Sequence, residues 1–279
     1  MDTLAFLAPP FVASLILTGI HAYLGLHVVE RGVIFVDLSL AQFAALGSAV
    51  AILIPAFDAD PHGSGVYWMS LGFTLIGALV FSTIRGHRAR IPQEAIIGIC
   101  YAVASAATII AMSKATSETE HLKDMLVGNI LAVSWSEVIK TALVYGAIGA
   151  FHYVFRRRFL AISMDHSQAM AMKGTRRWDF LFYASFGFVV TSSVAIAGVL
   201  LVFCYLIVPS VAAMLYADRV GTRLALGWTM GTIVSAIGVY LSLVLDLPTG
   251  ATIVCTFGAV LALMALARPF IRPSNAVEG

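Results

Sequence analysis

The stretch from Glu30 to Gly47 reads ERGVIFVDLSLAQFAALG, with an Arg at the edge of an apolar segment and an Asp six residues further in. If one ideal helix begins at Arg31, Asp37 lies roughly 9 Å along it. A carboxylate at that depth of a membrane span faces protein or water rather than lipid, which makes it a candidate functional residue. The structural alternative is an Asp that a neighbouring helix satisfies within a packed bundle.

Small residues share the helix face of Asp37. At i+4, i+7 and i+11 stand Ala41, Ala44 and Ser48, and small side chains let helices approach closely or leave room for a solute. Gln42 lies roughly 140° around the helix from Asp37, so the two side chains cannot both point directly at one small ion. Asp37, Gln42 and Ser48 are the candidate residues that this helix contributes to a pathway for a solute or small ion.

The composition is that of an integral membrane protein. The 279 residues are 60% hydrophobic and only 11% charged, and the mean hydropathy is +0.92. These proportions exclude a soluble core with a charged shell. Repeated apolar runs of about 18 or more residues predict membrane-spanning α-helices, whereas a membrane barrel would show short alternating segments.

The apolar runs predict an all-α, polytopic helical bundle of about nine spans in one domain, residues 1–279. The run from Phe180 to Ala217 has 38 residues without a charge, so it is predicted to form two spans divided near Ala195 to Gly198. Counting that run as one span gives eight. The predicted spans are about 4–29, 33–54, 66–84, 92–112, 137–155, the two parts of 180–217, 224–245 and 251–267.

The distribution of Lys and Arg predicts the orientation. With the N-terminus outside and nine crossings, the main basic groups all fall on one side and the acidic loops on the other. This is the positive-inside pattern, which predicts a C-terminus in the cytoplasm. The basic groups are Arg31, residues 85–90, residues 156–177, Arg219 with Arg223, and Arg268 with Arg272.

Motifs for two kinds of enzyme are missing. The chain has no G-x-x-x-x-G-K-[ST] run and no H-E-x-x-H pair, so neither ATP hydrolysis nor metalloprotease chemistry is expected of it. His21 lies about two-thirds of the way through the first span and could reach toward the second. A lone His in a membrane more often makes a hydrogen bond between helices than a metal bond. Glu94 follows Pro92 in a first helical turn, where water and the helix dipole suit it.

The largest predicted cytoplasmic interval, residues 156–179, is long enough for a short helix from about Ser163 to Met172. Gly174 is a plausible residue to end that helix. The segment interleaves apolar and polar residues. It therefore either docks into a groove of a partner protein or rests on lipid headgroups.

Five motifs in sequence order resemble the membrane permease subunit of ABC-type zinc, manganese and iron importers. The similarity covers nearly the whole chain, from the first span to the ninth. The motifs are Arg31 to Gly47, Glu94 to Ile99, the cytoplasmic segment that ends at Gly174, Gly198 to Pro209, and Leu245 to Val254.

The resemblance implies a type II ABC importer-like bundle in a bacterial or archaeal cytoplasmic membrane, surrounded by membrane lipid. It implies a homodimer of permeases, cytoplasmic ATPase subunits that supply the ATP hydrolysis, and an extracytoplasmic metal-binding protein. No nucleic acid and no cofactor bound by this chain are expected, and a divalent metal ion is the substrate. The ATPase would dock on a coupling segment at about residues 160–175, with contacts from Asp165, His166, Gln168, Ala169, Met170 and Gly174.

One position departs from the family pattern. Members typically carry Asp-Ala-Leu-Ser-His here, with the Asp and His as proposed metal contacts. Asp37 matches the Asp, but Ala41 stands in place of the His, which leaves a hard oxygen donor without the imidazole that suits zinc. Either His21 replaces the missing ligand, or the ion differs, or the substrate is not a bare ion. The alternative function is an ATPase-independent cation transporter or channel that uses Asp37 as a relay.

Overall fold

The computed structural model describes residues 3–54, 64–84, 91–113, 130–164 and 174–271. Within these ranges the chain is helical, with nine α-helices, one short 3-10 helix at Ile130–Ala132 and no strand, as predicted. The α-helices are α1 (Thr3–Arg31), α2 (Val36–Leu53), α3 (Ser64–Ile84), α4 (Gln93–Met112), α5 (Trp135–Val154), α6 (Arg156–Met164), α7 (Thr175–Tyr216), α8 (Val220–Leu245) and α9 (Thr249–Ile271).

Seven of the described helices are long and apolar enough to cross a membrane. An eighth crossing is added if α5 and α6, which meet at a bend of 75°, form one broken span. Helix α7 counts once in this total although it has 42 residues. A straight helix of that length would measure about 63 Å, twice the thickness of the hydrocarbon core.

A single glycine divides α7. Gly198 has φ 75° and ψ 161°, a backbone conformation that is essentially restricted to glycine because a Cβ atom would clash. It separates a first arm, residues 175–197, from a second arm, residues 199–216. The predicted division of this apolar run near Ala195 to Gly198 is confirmed.

The contacts at the two ends of α7 show that the chain folds back at this glycine. Asp179 on the first arm pairs with Arg31 at 2.9 Å. Just beyond the second arm, the Ala217 carbonyl accepts a hydrogen bond from Arg223, which itself pairs with Glu30. Both ends therefore lie at the last turn of α1, although 38 residues of straight helix would separate them by about 57 Å. With two crossings in α7 and one in the bent pair, the described ranges hold nine candidate spans.

The turn between α1 and α2 overturns the estimated depth of Asp37. Gly32 has φ 65°, and the N–H groups of Gly32 and Val33 donate to the carbonyls of Val29 and Val28 at 3.0 and 3.2 Å. This pair of bonds closes a helix at its C-terminus. The helix that was assumed to begin at Arg31 therefore begins at Val36 instead, and Asp37 lies in the first turn of α2.

Helix α1 lies at the centre of the bundle. It packs against both arms of α7, against α8 and against α5, while α2 packs against α3 and α4. A Cβ atom placed on Gly25 would lie 1.9 Å from the Leu206 carbonyl oxygen, so α1 and the second arm of α7 touch backbone to backbone. Helices α4 and α9 leave most of their apolar surface exposed, as expected of helices that face lipid or another membrane subunit.

Candidate functional site

Asp37 is buried at the end of the bundle where α1 stops, which we call the Arg31 end. Its side chain is 2% exposed, and its Oδ1 atom has no hydrogen-bond partner among the described residues. A buried, unpaired carboxylate oxygen is costly, so a structural Asp is normally satisfied by a donor. No described residue of a neighbouring helix donates a hydrogen bond to this oxygen, as the structural alternative would require.

Glu94, in the first turn of α4, is the second carboxylate at this end. Its Oε1 accepts a hydrogen bond of 3.0 Å from the backbone N–H of Phe35, two residues before Asp37. Its Oε2 is buried and has no hydrogen-bond partner within the described ranges. Glu94 is also close enough to Asp37 for the two charges to interact. Sequence reasoning placed Glu94 in water at a helix end, and only the packing of α4 on the α1–α2 turn brings it here.

His21 is not part of this pair. It is fully buried, its Nδ1 donates to the Leu17 carbonyl at 2.8 Å, and its Nε2 is 3.1 Å from the Ser193 hydroxyl. Because both ring nitrogens are engaged, the ring acts as a hydrogen-bonded link between α1 and the first arm of α7. It lies about 15 Å along α1 from Arg31, and its hydrogen bonds go to Leu17 and Ser193 rather than to Asp37.

The other predicted pathway residues do not gather around Asp37. Ala41 and Ala44 are buried in the helix packing, at 1% and 4% exposure, whereas Gln42 and Ser48 are half-buried. No hydrogen bond joins either polar side chain to the unpartnered Asp37 Oδ1 in the described part of the chain. The small-residue face of α2 thus serves close packing, and the second carboxylate near Asp37 comes from α4.

A different polar group surrounds Arg31, and we call it the Arg31 network. Arg31 donates from Nη1 to Asp179 at 2.9 Å and from Nε to Ser163 at 2.7 Å. The Ser163 hydroxyl is also 2.8 Å from Nδ1 of His27. The guanidinium lies 3.9 Å from the centre of the Phe182 ring, a cation–π arrangement. The network joins α1, α6 and α7 in a buried setting.

Neighbouring side chains extend the network to α5. His152 lies 3.4 Å from the Tyr23 hydroxyl, 2.8 Å from the Ser185 hydroxyl, and stacks on Phe159 at 4.3 Å between ring centres. Phe159 belongs to α6, on the other side of the 75° bend. The bend between α5 and α6 is therefore held against α1 by both polar and aromatic contacts.

Nine of the sixteen residues of the predicted coupling segment, residues 165–173, lie outside the described residues. Asp165, His166, Gln168, Ala169 and Met170 fall in that interval, so their contacts stay predictions. Helix α6 leads into the segment, and Gly174 leads out of it in the left-handed conformation, φ 81°, directly before α7. Ser163 of the Arg31 network stands two residues before the interval begins.

No group of three or more His, Cys, Asp or Glu side chains that could hold a metal ion occurs within the described ranges. The carboxylates of Asp37 and Glu94 are a pair, and both are hard oxygen donors. Such donors suit Mg²⁺, Ca²⁺ and Mn²⁺, whereas thiolates and imidazoles suit softer metals.

Comparison with known proteins identifies relatives that match nearly the full length of the chain. A sequence profile described as the ABC 3 transport family matches residues 3–268. The chelated iron transport system membrane protein YfeC of Yersinia pestis is 25% identical over 242 residues, covering 86% of this chain and 79% of YfeC. The manganese import system permease protein ScaB of Streptococcus gordonii is 26% identical over 276 residues, covering 97% of this chain and 92% of ScaB.

A solved structure shares the architecture. PsaBC from Streptococcus pneumoniae in complex with Fab contains a chain that matches this one with a TM-score of 0.77 and 25% identity. The match covers 98% of this chain and 95% of the other. The described helices of this chain thus share the arrangement of a solved structure.

Proposed function

This chain belongs to the ABC 3 transport family, and from that premise we propose that it is the permease subunit of an ATP-binding-cassette importer for a divalent metal ion. It is a multi-span helical membrane protein, and the family resemblance of its motifs is confirmed. ATP hydrolysis is assigned to a separate subunit, since this chain carries no G-x-x-x-x-G-K-[ST] motif.

The proposed substrate is a divalent ion of the manganese or iron class. Relatives are named for manganese and for chelated iron. The observation that carries the proposal is Asp37, which matches the Asp of the family pattern and is buried with an unpartnered oxygen. A passing cation would offset the free energy that this buried carboxylate costs, whereas the described residues leave the cost in place.

The proposed mechanism is alternating access, driven by a partner ATPase that binds residues 160–175. The Arg31 network supports this, because Ser163 lies beside that segment and bonds directly to the helix that precedes Asp37. Movement of the segment would reach the α1–α2 turn through a short chain of buried contacts. A homodimer of permeases and an extracytoplasmic metal-binding protein complete the proposed assembly, in the cytoplasmic membrane with the N-terminus outside.

Reconstitution with and without the ATPase tests the proposal. The permease is placed in proteoliposomes with its ATPase subunit and its binding protein, and ⁵⁴Mn²⁺ uptake is measured with ATP or with a non-hydrolysable analogue. We expect uptake only with hydrolysable ATP. Equal uptake by the permease alone would overturn the proposal in favour of an ATPase-independent cation transporter.

A further inference from the structure

We propose that Glu94 of α4 is the second metal-binding carboxylate beside Asp37, and that the two form an all-oxygen site for Mn²⁺ or another hard divalent cation. This rests on the proposed function and deepens it by naming the ligand that replaces the missing imidazole at Ala41. Nothing in the motif around Asp37 points to Glu94, which is 57 residues away in the sequence.

Glu94 is fixed in place by the backbone next to Asp37. Its Oε1 accepts the N–H of Phe35 at 3.0 Å, and Phe35 is the residue before the first turn of α2. That bond leaves Oε2 as the oxygen available to a ligand, and Oε2 is buried with no hydrogen-bond partner among the described residues. Oε1 of Glu94 therefore fixes the side chain in place, and Oε2 is available to bind a ligand.

The two carboxylates lack a positive partner in the described ranges. Asp37 Oδ1 and Glu94 Oε2 are both buried and both unpartnered, and the two groups lie within electrostatic range of each other. Like charges at a buried site repel, since the low dielectric strengthens the interaction. A divalent cation between the two carboxylates would remove that repulsion and would give both unused oxygens a partner.

Other candidates for the missing ligand are less suitable. Both nitrogens of His21 are engaged, with Leu17 and Ser193. Cys204 on the second arm of α7 is also within electrostatic range of Asp37, but its sulfur is a soft donor that does not suit a hard divalent cation. Glu94 is the one that pairs an unused buried oxygen with a fixed position.

The donor set determines the selectivity. Carboxylates and water suit Mn²⁺, whereas an Asp–His pair would add the imidazole that zinc favours. The site should therefore discriminate against Zn²⁺ more strongly than the usual family pair does. Ala41, which replaces the family's His, and Glu94, which adds an oxygen donor, both favour Mn²⁺ over Zn²⁺.

Glu94→Gln in the full-length permease, purified in lipid nanodiscs, tests the inference. Gln retains an oxygen that can accept the Phe35 N–H, so the anchor survives while the charge is lost. We expect the Mn²⁺ concentration needed to raise the melting temperature to increase at least about tenfold. The melting temperature without metal should stay the same or rise, because a buried like-charge repulsion is removed.

Two further variants keep the outcome interpretable. Glu94→Asp, which keeps the charge on a shorter side chain, should recover part of the Mn²⁺ effect, and Cys204→Ser should leave it unchanged. If Glu94→Gln lowers the metal-free melting temperature and leaves the Mn²⁺ response intact, Glu94 only supports the α1–α2 turn and the inference is wrong. If Asp37→Asn loses the Mn²⁺ response while Glu94→Gln keeps it, the inference about Glu94 fails but the proposed function stands. An intact Mn²⁺ response in both variants overturns the site itself.

Discussion

Asp179 and Asp37 are two buried carboxylates at the same end of the bundle, and they differ in their partners. Asp179 is 1% exposed and paired with Arg31 at 2.9 Å. Asp37 is 2% exposed and has an oxygen with no partner in the described ranges. A buried charge persists either because the fold supplies its counter-charge or because something outside the fold does. We assign Asp179 to the first case, as a structural link, and Asp37 to the second, as a site for a cation in transit.

Breaking the paired carboxylate should have the larger effect on folding. Asp179→Asn removes the buried carboxylate to which Arg31 Nη1 donates, and we expect a loss of about 3–5 kcal/mol of stability. The measurement is the yield and melting temperature of the purified permease. The control is the double change Asp179→Asn with Arg31→Met, which removes both charges and should recover part of the loss. If Asp179→Asn alone were neutral, the ion pair would not hold α1 to α7.

The return of the second arm of α7 to the Arg31 end depends on the fold-back at Gly198. Gly198→Ala places a Cβ atom at φ 75°, ψ 161°, and we expect a cost of about 1–3 kcal/mol. Gly149→Ala is the matched control, because Gly149 lies inside α5 and a Cβ atom placed on it would meet nothing within 4 Å. That variant should be neutral or slightly stabilising. Equal melting temperatures for the two variants would mean that the turn does not need glycine.

The link between the Arg31 network and the predicted coupling segment can be tested at Ser163. Ser163→Ala removes the hydroxyl that bonds to Arg31 and His27, while the Arg31–Asp179 pair remains. We expect the number of metal ions imported per ATP hydrolysed to fall about fivefold, equivalent to about 1 kcal/mol of lost coupling. Ser192→Ala removes a comparable link between α7 and Tyr145 of α5, far from the segment. If both variants changed this ratio equally, the Arg31 network would have no special role.

An imidazole placed beside Asp37 should have the smallest effect on the rate of import and the clearest effect on metal selectivity. Ala41→His restores the usual family pair on α2, and we expect the Zn²⁺-to-Mn²⁺ uptake ratio to rise. Ala41 is 1% exposed, so the larger side chain should also cost about 1–3 kcal/mol of stability. Ala44→His, one turn further along α2, is the control for crowding alone. An unchanged uptake ratio would place the selectivity elsewhere.

The sequence predicted the elements whose signals are local. The break in α7 followed from an apolar run too long for one span that contains a glycine, and the helical class followed from composition. The break between α1 and α2 was also predicted, since the spans 4–29 and 33–54 leave a gap that contains Gly32, a helix stop signal. The depth of Asp37 was wrong because it was counted along a helix beginning at Arg31, whereas the backbone bonds of Gly32 and Val33 close α1 there and α2 begins at Val36.

The partners of the candidate site could not be predicted in the same way. Glu94 reaches the neighbourhood of Asp37 only because α4 packs its first turn on the α1–α2 turn, and no local pattern encodes that contact. The same is true of Asp179, 148 positions from Arg31. The sequence identifies which charges are buried in a membrane protein, but tertiary packing decides which of them are paired.

Uptake by Asp37→Asn, in proteoliposomes with the ATPase and the binding protein, tests the contrast between the two carboxylates most directly. Asn keeps the shape of the side chain and removes its charge, and a neutral amide is a poorer ligand for a hard divalent ion. We predict that ATP-driven Mn²⁺ uptake falls to the level seen without ATP, while the metal-free melting temperature and the association with the ATPase are retained. Unchanged uptake, or a loss of uptake that only follows a loss of folding, would contradict the assignment of Asp37 to the metal pathway.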